Sequence, residues 1–369
     1  MILGIDIRSL ADEPMTGVGV YVYELLRRLS AYSTPDTKLL PWYSGSTAVH
    51  RVISGKVSAL PVETRWLRLP NRFLSALYVS PFSAPFTREF GRADYWWLPH
   101  INFVPLKVMP RYTLTIHDLS FLHLPNAYSL KRRLWHGLLK FQSLLKRADA
   151  LITVSESTKA ELLYYFPELA SKPLRVVYPG TDHSHDQVET STLNRAGSNY
   201  ILFLGTMEPR KNVQAVLKAF GVLKQKYPDL RLVLAGSPGW SSQSLKKELL
   251  SMEGVQWLTY VDASEKKLLL RRARLLVWPS FYEGFGFPPL EALKEGVAVI
   301  TSYRTSLPEI LTTNVRYANP YNYVEIAALA AQILESGGLQ QHTVPSRLTW
   351  KKSATELFDF ITERYAYRH

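Results

Sequence analysis

The chain has 369 residues, of which 46% are hydrophobic and 20% charged, so it can bury two cores of ordinary domain size and is not a disordered polymer. It has no cysteine, which excludes a disulfide framework, a thiolate metal site and a cysteine nucleophile. Lys and Arg number 44 against 31 Asp and Glu, and the net charge of +13 favours anionic partners: nucleic acid, anionic lipid headgroups or phosphorylated substrates.

Ile2 to Ile7 reads as a short apolar strand that reaches an acid at Asp6 without a charged leader, so a cytoplasmic protein is expected rather than a secreted one. No apolar run approaches the roughly 18–20 residues of a spanning helix, and an integral membrane protein is not expected. Gly17-Val18-Gly19 opens a helix with Val22, Leu25, Leu26 and Leu29 at helical spacing, and Leu39–Tyr43 is a strand. Thr113–His117 and Leu151–Val154 are strands with a long helix from Ser129 to Arg147 between them. Ser155 caps a helix through Tyr165, and Leu174–Tyr178 ends at Pro179-Gly180. Residues 183–199 are polar and aperiodic, a linker between domains at 1–182 and 200–349.

Beyond the linker the alternation is cleaner. Tyr200–Leu204 is a strand, and Asn212 caps a helix carrying Val213, Val216, Leu217, Phe220 and Leu223 on one face. Strands at Leu230–Ala235, Val255–Val261, Leu275–Trp278 and Val297–Thr301 alternate with helices at Leu245–Leu250, Glu265–Ala273 and Pro289–Glu295, with Gly296 after the last. Residues 350–369 form a final helix, expected to pack back toward the N-terminal domain. Continuous apolar strands alternating with helices predict parallel sheets covered on both faces, hence an α/β protein of two Rossmann-like domains. Ligands of such sheets bind outside the carboxyl ends of the strands, which points to a central cleft between two facing domains.

Two loops past strand ends stand out. Gly205-Thr-Met-Glu-Pro-Arg210-Lys211-Asn212 puts two adjacent cations at a helix start, where backbone N–H groups also favour anions, an arrangement suited to a diphosphate. It is not a Walker A loop, because Gly-Lys-Ser/Thr is missing. Pro279-Ser280-Phe-Tyr-Glu283-Gly284-Phe285-Gly286-Phe287-Pro288-Pro289-Leu-Glu291 lets backbone approach a ligand at two glycines, places Pro289 at the first helical position and Glu291 in the first turn. There Glu291 can accept ribose hydroxyls, while Glu283 in the loop can accept hydrogen bonds from a sugar. Gly17-Val-Gly19 lacks the third glycine of the dinucleotide fingerprint and is a poor nicotinamide site; it is either a tight turn or a pair of amides for a diphosphate.

The Glu283–Glu291 segment resembles the Glu-x7-Glu motif of family 4 retaining glycosyltransferases, which have the GT-B architecture. The resemblance covers nearly the whole chain. Gly4-Ile-Asp6-Ile-Arg8 and Thr16-Gly17-Val-Gly19-Val-Tyr21 resemble that family's first strand and glycine loop; Thr115-Ile-His117-Asp118 resembles its acceptor-domain element. Val154-Ser155, Val177-Tyr-Pro-Gly180-Thr-Asp182, Arg210-Lys211-Asn212 and Ser306-Leu-Pro308-Glu309 also match, most closely to mannosyltransferases of bacterial surface polysaccharides such as lipopolysaccharide. One departure is Thr312-Thr313-Asn314, where the family often has a Gly-Asp-Ala turn.

The resemblance implies catalytic roles for His117, Glu283, Arg210 and Lys211. It implies a nucleotide-sugar site from Gly17, Gly19, Gly205, Arg210, Lys211, Val261, Gly284, Phe285, Gly286, Phe287 and Glu291, and an acceptor side with Asp118 and Tyr21. It also implies a nucleotide-diphosphate sugar such as GDP-mannose, a lipid-linked or oligosaccharide acceptor, retention of configuration, and no metal or other cofactor. The nine histidines show no metal-ligand spacing, in keeping with that. A UDP-sugar donor and a sugar-nucleotide epimerase of the same architecture are the alternatives. A nucleic-acid-binding protein is the non-enzyme alternative, against which no recognised motif is present.

The basic charge collects in two stretches of the N-terminal half. Lys131, Arg132, Arg133, Lys140, Lys146 and Arg147 occur with no acid among them, and Arg65, Arg68, Arg72, Arg88 and Arg92 alternate with aromatic residues. A basic amphipathic surface of this kind suits peripheral attachment to an anionic membrane; the alternative is an ordinary core face with solvated charges.

Overall fold

The apolar runs are strands buried on both sides, as parallel sheets under two layers of helices require. The computed structural model describes residues 1–70, 88–104, 109–125, 140–183, 196–197, 199–239, 243–311, 315–336 and 344–367. The chain divides into two units: Met1–Leu119, Lys131–Gly180 and Thr349–His369 form one, Ser120–Leu130 and Thr181–Leu348 the other.

The first unit holds a seven-stranded sheet of β1 (Ile2–Asp6), β2 (Lys38–Ser44), β3 (Arg65–Leu67), β4 (Tyr95–Leu98), β5 (Tyr112–Ile116), β6 (Ala150–Thr153) and β7 (Leu174–Val176), in the order β3-β2-β1-β4-β5-β6-β7. The second holds β8 (Tyr200–Leu204), β9 (Arg231–Ala235), β10 (Val255–Leu258), β11 (Leu275–Trp278), β12 (Val299–Ser302) and β13 (Arg316–Ala318), in the order β10-β9-β8-β11-β12-β13. The pairings are parallel, as β1 with β2 and β4 or β8 with β9 and β11 show. In each sheet the order reverses next to the first strand, so the topological switch points lie between β1 and β4 and between β8 and β11.

The helices are α1 (Gly17–Leu29), α2 (Thr47–Val57), α3 (Ser120–His123), α4 (Phe141–Arg147), α5 (Glu156–Tyr165), α6 (Val213–Lys226), α7 (Gln243–Ser251), α8 (Ala263–Arg272), α9 (Phe287–Lys294), α10 (Leu307–Leu311), α11 (Tyr323–Glu335) and α12 (Trp350–Ala366). None of the described helices is long and apolar enough to cross a membrane. Ser155 Oγ accepts the Thr158 amide at 3.1 Å and caps α5, as its position before the helix predicts. The last helix, α12, groups with the first unit, where Ser353 Oγ donates to the Tyr178 carbonyl.

Several expectations change. Lys140 adopts a left-handed conformation (φ 46°) in front of α4, so no single helix runs through it to Arg147. The ends of the expected linker are packed rather than free: His183 is buried, and the Ala196 carbonyl accepts from Arg231 at 2.6 Å. The helix expected to begin at Pro289 starts at Phe287, which moves Pro289 to the third helical position and Glu291 out of the first turn. Strands β3, β4 and β13 are too short to show a period in the sequence.

Candidate active site

In the second unit the chain leaves β8 at Gly205, whose φ of 149° belongs to the region open mainly to glycine. A Cβ there would lie 2.7 Å from the Trp278 ring and 3.0 Å from Lys211 Nζ, so the missing side chain is what admits the lysine. Pro209–Lys211 form one 3₁₀ turn, and Asn212, left-handed at φ 59°, leads into α6. Asn212 does not cap that helix through its side chain. Its Nδ2 donates to the Pro279 carbonyl at 3.1 Å and the Pro320 carbonyl at 2.7 Å, tying the basic turn to the loops after β11 and β13.

The two cations of this turn differ. Arg210 Nε donates to Glu208 at 2.6 Å, and its Nη1 reaches Glu283 Oε2 and the Tyr282 carbonyl, both at 3.3 Å. Lys211, half-buried, places its ammonium 5.1 Å from the centre of the Trp278 ring and has no hydrogen-bonded or ion-paired partner among the described residues. Burial lowers its pKa; the Glu283 and Glu208 carboxylates oppose that shift and Arg210 adds to it.

Glu283 is held from every side. Its Oε1 accepts from Ser280 Oγ at 2.8 Å, its amide donates to Thr305 Oγ1 at 2.9 Å, and its carbonyl accepts from Ser306 Oγ at 3.0 Å. Ser306 Oγ also reaches the Phe285 carbonyl, and Ser302 Oγ the Ser280 carbonyl, so hydroxyls from the end of β12 and the turn after it fasten the loop. Gly284 and Phe285 are buried, Gly286 is left-handed before α9, and Phe285 meets Phe287 edge-on at 5.0 Å.

Glu291, in the second turn of α9, accepts from Lys266 of α8 at 2.8 Å and lies 3.8 Å from His183 Nε2. His183 is buried against the Phe287 ring at 5.4 Å. Val261 sits in the loop between β10 and α8, directly before Asp262, whose carboxylate caps α8.

In the first unit His117 follows β5 and is half-buried, its Nε2 2.7 Å from the Pro99 carbonyl. A carbonyl only accepts, so Nε2 carries the proton. Burial lowers the His117 pKa, against the pull of that bond and of Asp118, leaving a neutral ring whose Nδ1 is an acceptor. Tyr21 lies edge-on to it at 4.7 Å but is fully buried, with its pKa raised by burial. It packs edge-on against His117, and its ring is closed to solvent. Gly17 begins α1, and the Gly19 amide donates to Thr16 Oγ1 at 3.3 Å, so the amide expected to meet a diphosphate serves the helix cap. Gly19 also lets α1 approach the Ser9 carbonyl, which a Cβ would meet at 3.1 Å.

Beside these residues stands a cluster the sequence did not reveal. Asp6, buried, holds Arg8 through a 2.5 Å contact, and Arg8 donates to the Phe103 carbonyl at 3.0 Å. His100, after β4, accepts from Asn102 at 3.0 Å, and its buried Nδ1 has no partner among the described residues. Burial pushes its pKa down to about 4, with Asp6 opposing.

The basic stretches fare differently from the loops. Lys131, Arg132 and Arg133 lie outside the described residues, and Lys140 is exposed. Phe141, Leu144 and Leu145 of α4 are core, and Arg65 and Arg92 pair with Glu89 at 2.8 and 3.6 Å. In the described part, then, the apolar face of α4 is interior, and Arg65, Arg92 and Lys146 stand beside carboxylates.

Residues 15–185 match the glycosyltransferase family 4 profile, and residues 186–355 match that of the group 1 glycosyl transferases. The chain is 30% identical over 349 residues to the O-antigen chain mannosyltransferase B of Escherichia coli, covering 88% of this chain and 87% of the relative. The chain belongs to the family 4 glycosyltransferases. It is also 28% identical to the O-antigen chain mannosyltransferase RfbU of Salmonella typhimurium over 63% of this chain and 62% of that one. A sucrose-phosphate synthase from Thermosynechococcus elongatus superimposes with a TM-score of 0.65 at 18% identity, covering 99% of this chain and 96% of that one, which shares the GT-B fold.

For this glycosyltransferase the sequence missed three things: the Asn212 tie, the His183–Glu291 approach and the His100 cluster. Asn212 was visible but its cap-like position suggested the wrong partner. The other two depend on neighbours remote in sequence that no local pattern links.

Proposed function

We propose that this glycosyltransferase moves a hexose, mannose from GDP-mannose in the first instance, onto a lipid-linked or oligosaccharide acceptor at the inner face of the cell membrane. The transfer retains anomeric configuration, needs no divalent metal, and belongs to surface-polysaccharide synthesis such as that of an O-antigen, exopolysaccharide or capsule. The observation that carries it is the unshared Lys211 ammonium at the carboxyl end of β8, beside the Arg210–Glu283 pair. A cation fixed before the reaction meets the charge that develops on a departing diphosphate without reorganisation at that moment. The N-terminus of α6 follows directly and favours the same anion. The names of the similar enzymes support mannose as the sugar.

In this reading Glu283 orients the sugar ring. Both its oxygens accept hydrogen bonds, from Ser280 and Arg210, which suits holding a hydroxyl rather than attacking a carbon. Glu291 takes the ribose hydroxyls. His117, a neutral ring with Nδ1 as acceptor, binds a sugar hydroxyl, and no covalent nucleophile is assigned. The test incubates the protein with GDP-mannose, with and without a lipid-linked saccharide acceptor, in EDTA. Release of GDP only with acceptor, undiminished by EDTA, is the expected result. Loss of turnover in EDTA with rescue by manganese overturns metal independence, activity only with UDP-sugars overturns the donor, and a changed sugar without acceptor indicates an epimerase.

A further inference from the structure

Glu291 lies in the second turn of α9, past the amides whose partial positive charge would favour a carboxylate at the helix start. Its charge is matched instead from the side. Lys266 Nζ donates to Oε1 at 2.8 Å, and His183 Nε2 stands 3.8 Å from the same oxygen, beyond hydrogen-bond reach. The segment carrying His183 is itself fixed: Lys294 of α9 donates to the Thr181 carbonyl at 3.0 Å, and the His183 ring packs on Phe287.

A second pair joins the same two helices one turn further on, Arg271 with Glu295, and the contrast is informative. The Arg271 side chain is 49% exposed and that of Lys266 24%, while His183 is at 2%. In the outer pair the cation is largely solvated, and Glu295, at 13% exposed, has that one ion-pair partner among the described residues. The inner group is shielded and gathers three side chains from three elements into one cluster around a carboxylate.

From this geometry we infer that Lys266 and His183 are positioning residues which set the direction of the Glu291 carboxylate toward the two vicinal hydroxyls of the nucleotide's ribose. This rests on the proposed role of Glu291 and extends it to residues outside the loop motif. The Lys266 hydrogen bond on Oε1, with the buried His183 ring packed beside it, restricts rotation about the last side-chain bond, and a pair of neighbouring hydroxyls is best received by a carboxylate whose plane is fixed. If the contacts served only to join α8 to α9, recognition of the ribose would not depend on them.

The experiment compares binding of GDP and UDP with that of their 2′,3′-dideoxy forms by calorimetry, in the wild type and in Lys266→Met, Lys266→Arg, His183→Gln and Glu291→Gln. The wild type is expected to favour a ribonucleotide over its dideoxy form by about tenfold or more, because a site built to bind a hydroxyl rejects the analogue lacking it. Lys266→Met should cut that ratio to within about threefold, Lys266→Arg should restore most of it, and adding Lys266→Met to Glu291→Gln should change it no further, as for groups acting through one another. His183→Gln should lower the ratio by a smaller factor. A wild-type preference that survives Lys266→Met overturns the inference and leaves the role of Glu291 standing. No preference in the wild type with either base overturns both.

Discussion

The Asp6–Arg8 pair of the first unit and the Arg210–Glu283 pair of the second both stand where strands deliver their carboxyl ends, at β1 and at β8 and β11. The first is shut in, with side chains 1% and 2% exposed; the second is 9% and 16% exposed and has next to it a lysine with no ion-paired partner among the described residues. A closed pair can only hold its surroundings in place, whereas a partly open one with a spare cation can meet a ligand. The first unit thus uses charge to fix a scaffold around His117 and His100, and the second presents it at the loops after β8 and β11.

The largest effect expected from this contrast is on stability. Asp6→Ala leaves the Arg8 guanidinium buried without its partner, and breaking a buried pair from one side costs roughly 3–5 kcal/mol. Chemical denaturation should show the loss directly. A variant within about 1 kcal/mol of the wild type would mean that Arg8 escapes to solvent and that the first unit is no more closed than the second.

Next comes the open site. Lys211→Ala should slow transfer about a hundredfold, roughly 2.7 kcal/mol of barrier, as removing one fixed charge from a developing anion does. Folding should be little changed, because the ammonium has no hydrogen-bonded or ion-paired partner to abandon among the described residues, only its approach to the Trp278 ring. Glu283→Gln should also slow transfer by at least about tenfold. Wild-type rates for both, with intact melting transitions, would remove the catalytic reading of these loops.

How much of this was legible follows the same division. Arg210, Lys211, Glu283 and Glu291 lie in two short stretches whose glycines, prolines and charges are visible locally, so these two loops are legible from the order of residues alone. What the sequence misplaced there was register: α9 starts two residues earlier than the prolines suggest, and Asn212 bridges loops instead of capping. In the first unit His100 gains meaning only because β4 pairs with β1 and brings it beside Asp6. Strand β4 is four residues long with no alternation, and pairing across some ninety residues leaves no local trace. His183 is the same case in the second unit, a polar residue in a polar run that is nevertheless buried.

The His100 cluster predicts a pH dependence of the first unit. Its folded pKa of about 4 lies below the ordinary histidine value, so the unfolded chain binds the proton first as pH falls. Stability from this group is complete above about pH 7 and is lost progressively toward pH 4, by about 2 kcal/mol at pH 5. Burial shifts His117 in the same direction and adds to the loss. Denaturation curves from pH 7.5 to 5 should show a slope that His100→Gln flattens. An equal slope in the variant would assign the acid sensitivity elsewhere.

The smallest effect comes from the pair most like Asp6–Arg8 in chemistry and least like it in setting. Arg271 and Glu295 meet at 2.5 Å, as close as Arg8 and Asp6, yet Arg271 is 49% exposed. Water already solvates the arginine in the folded state, so little desolvation is left to recover and little attraction to lose. Exposed pairs of this kind contribute about 0.2–1 kcal/mol, and salt screens them further. Arg271→Ala should therefore shift stability by no more than about 0.5 kcal/mol. It should leave nucleotide affinity unchanged, since the pair lies one turn beyond the Glu291 group, on the solvated side of the two helices. Raising the salt concentration should shrink the difference between wild type and variant. The Asp6→Ala loss, by contrast, should persist at the same salt, because a pair closed to water is closed to ions. If Arg271→Ala cost as much as Asp6→Ala, contact distance rather than burial would decide the worth of these pairs, and the contrast between the two units would lose its physical basis.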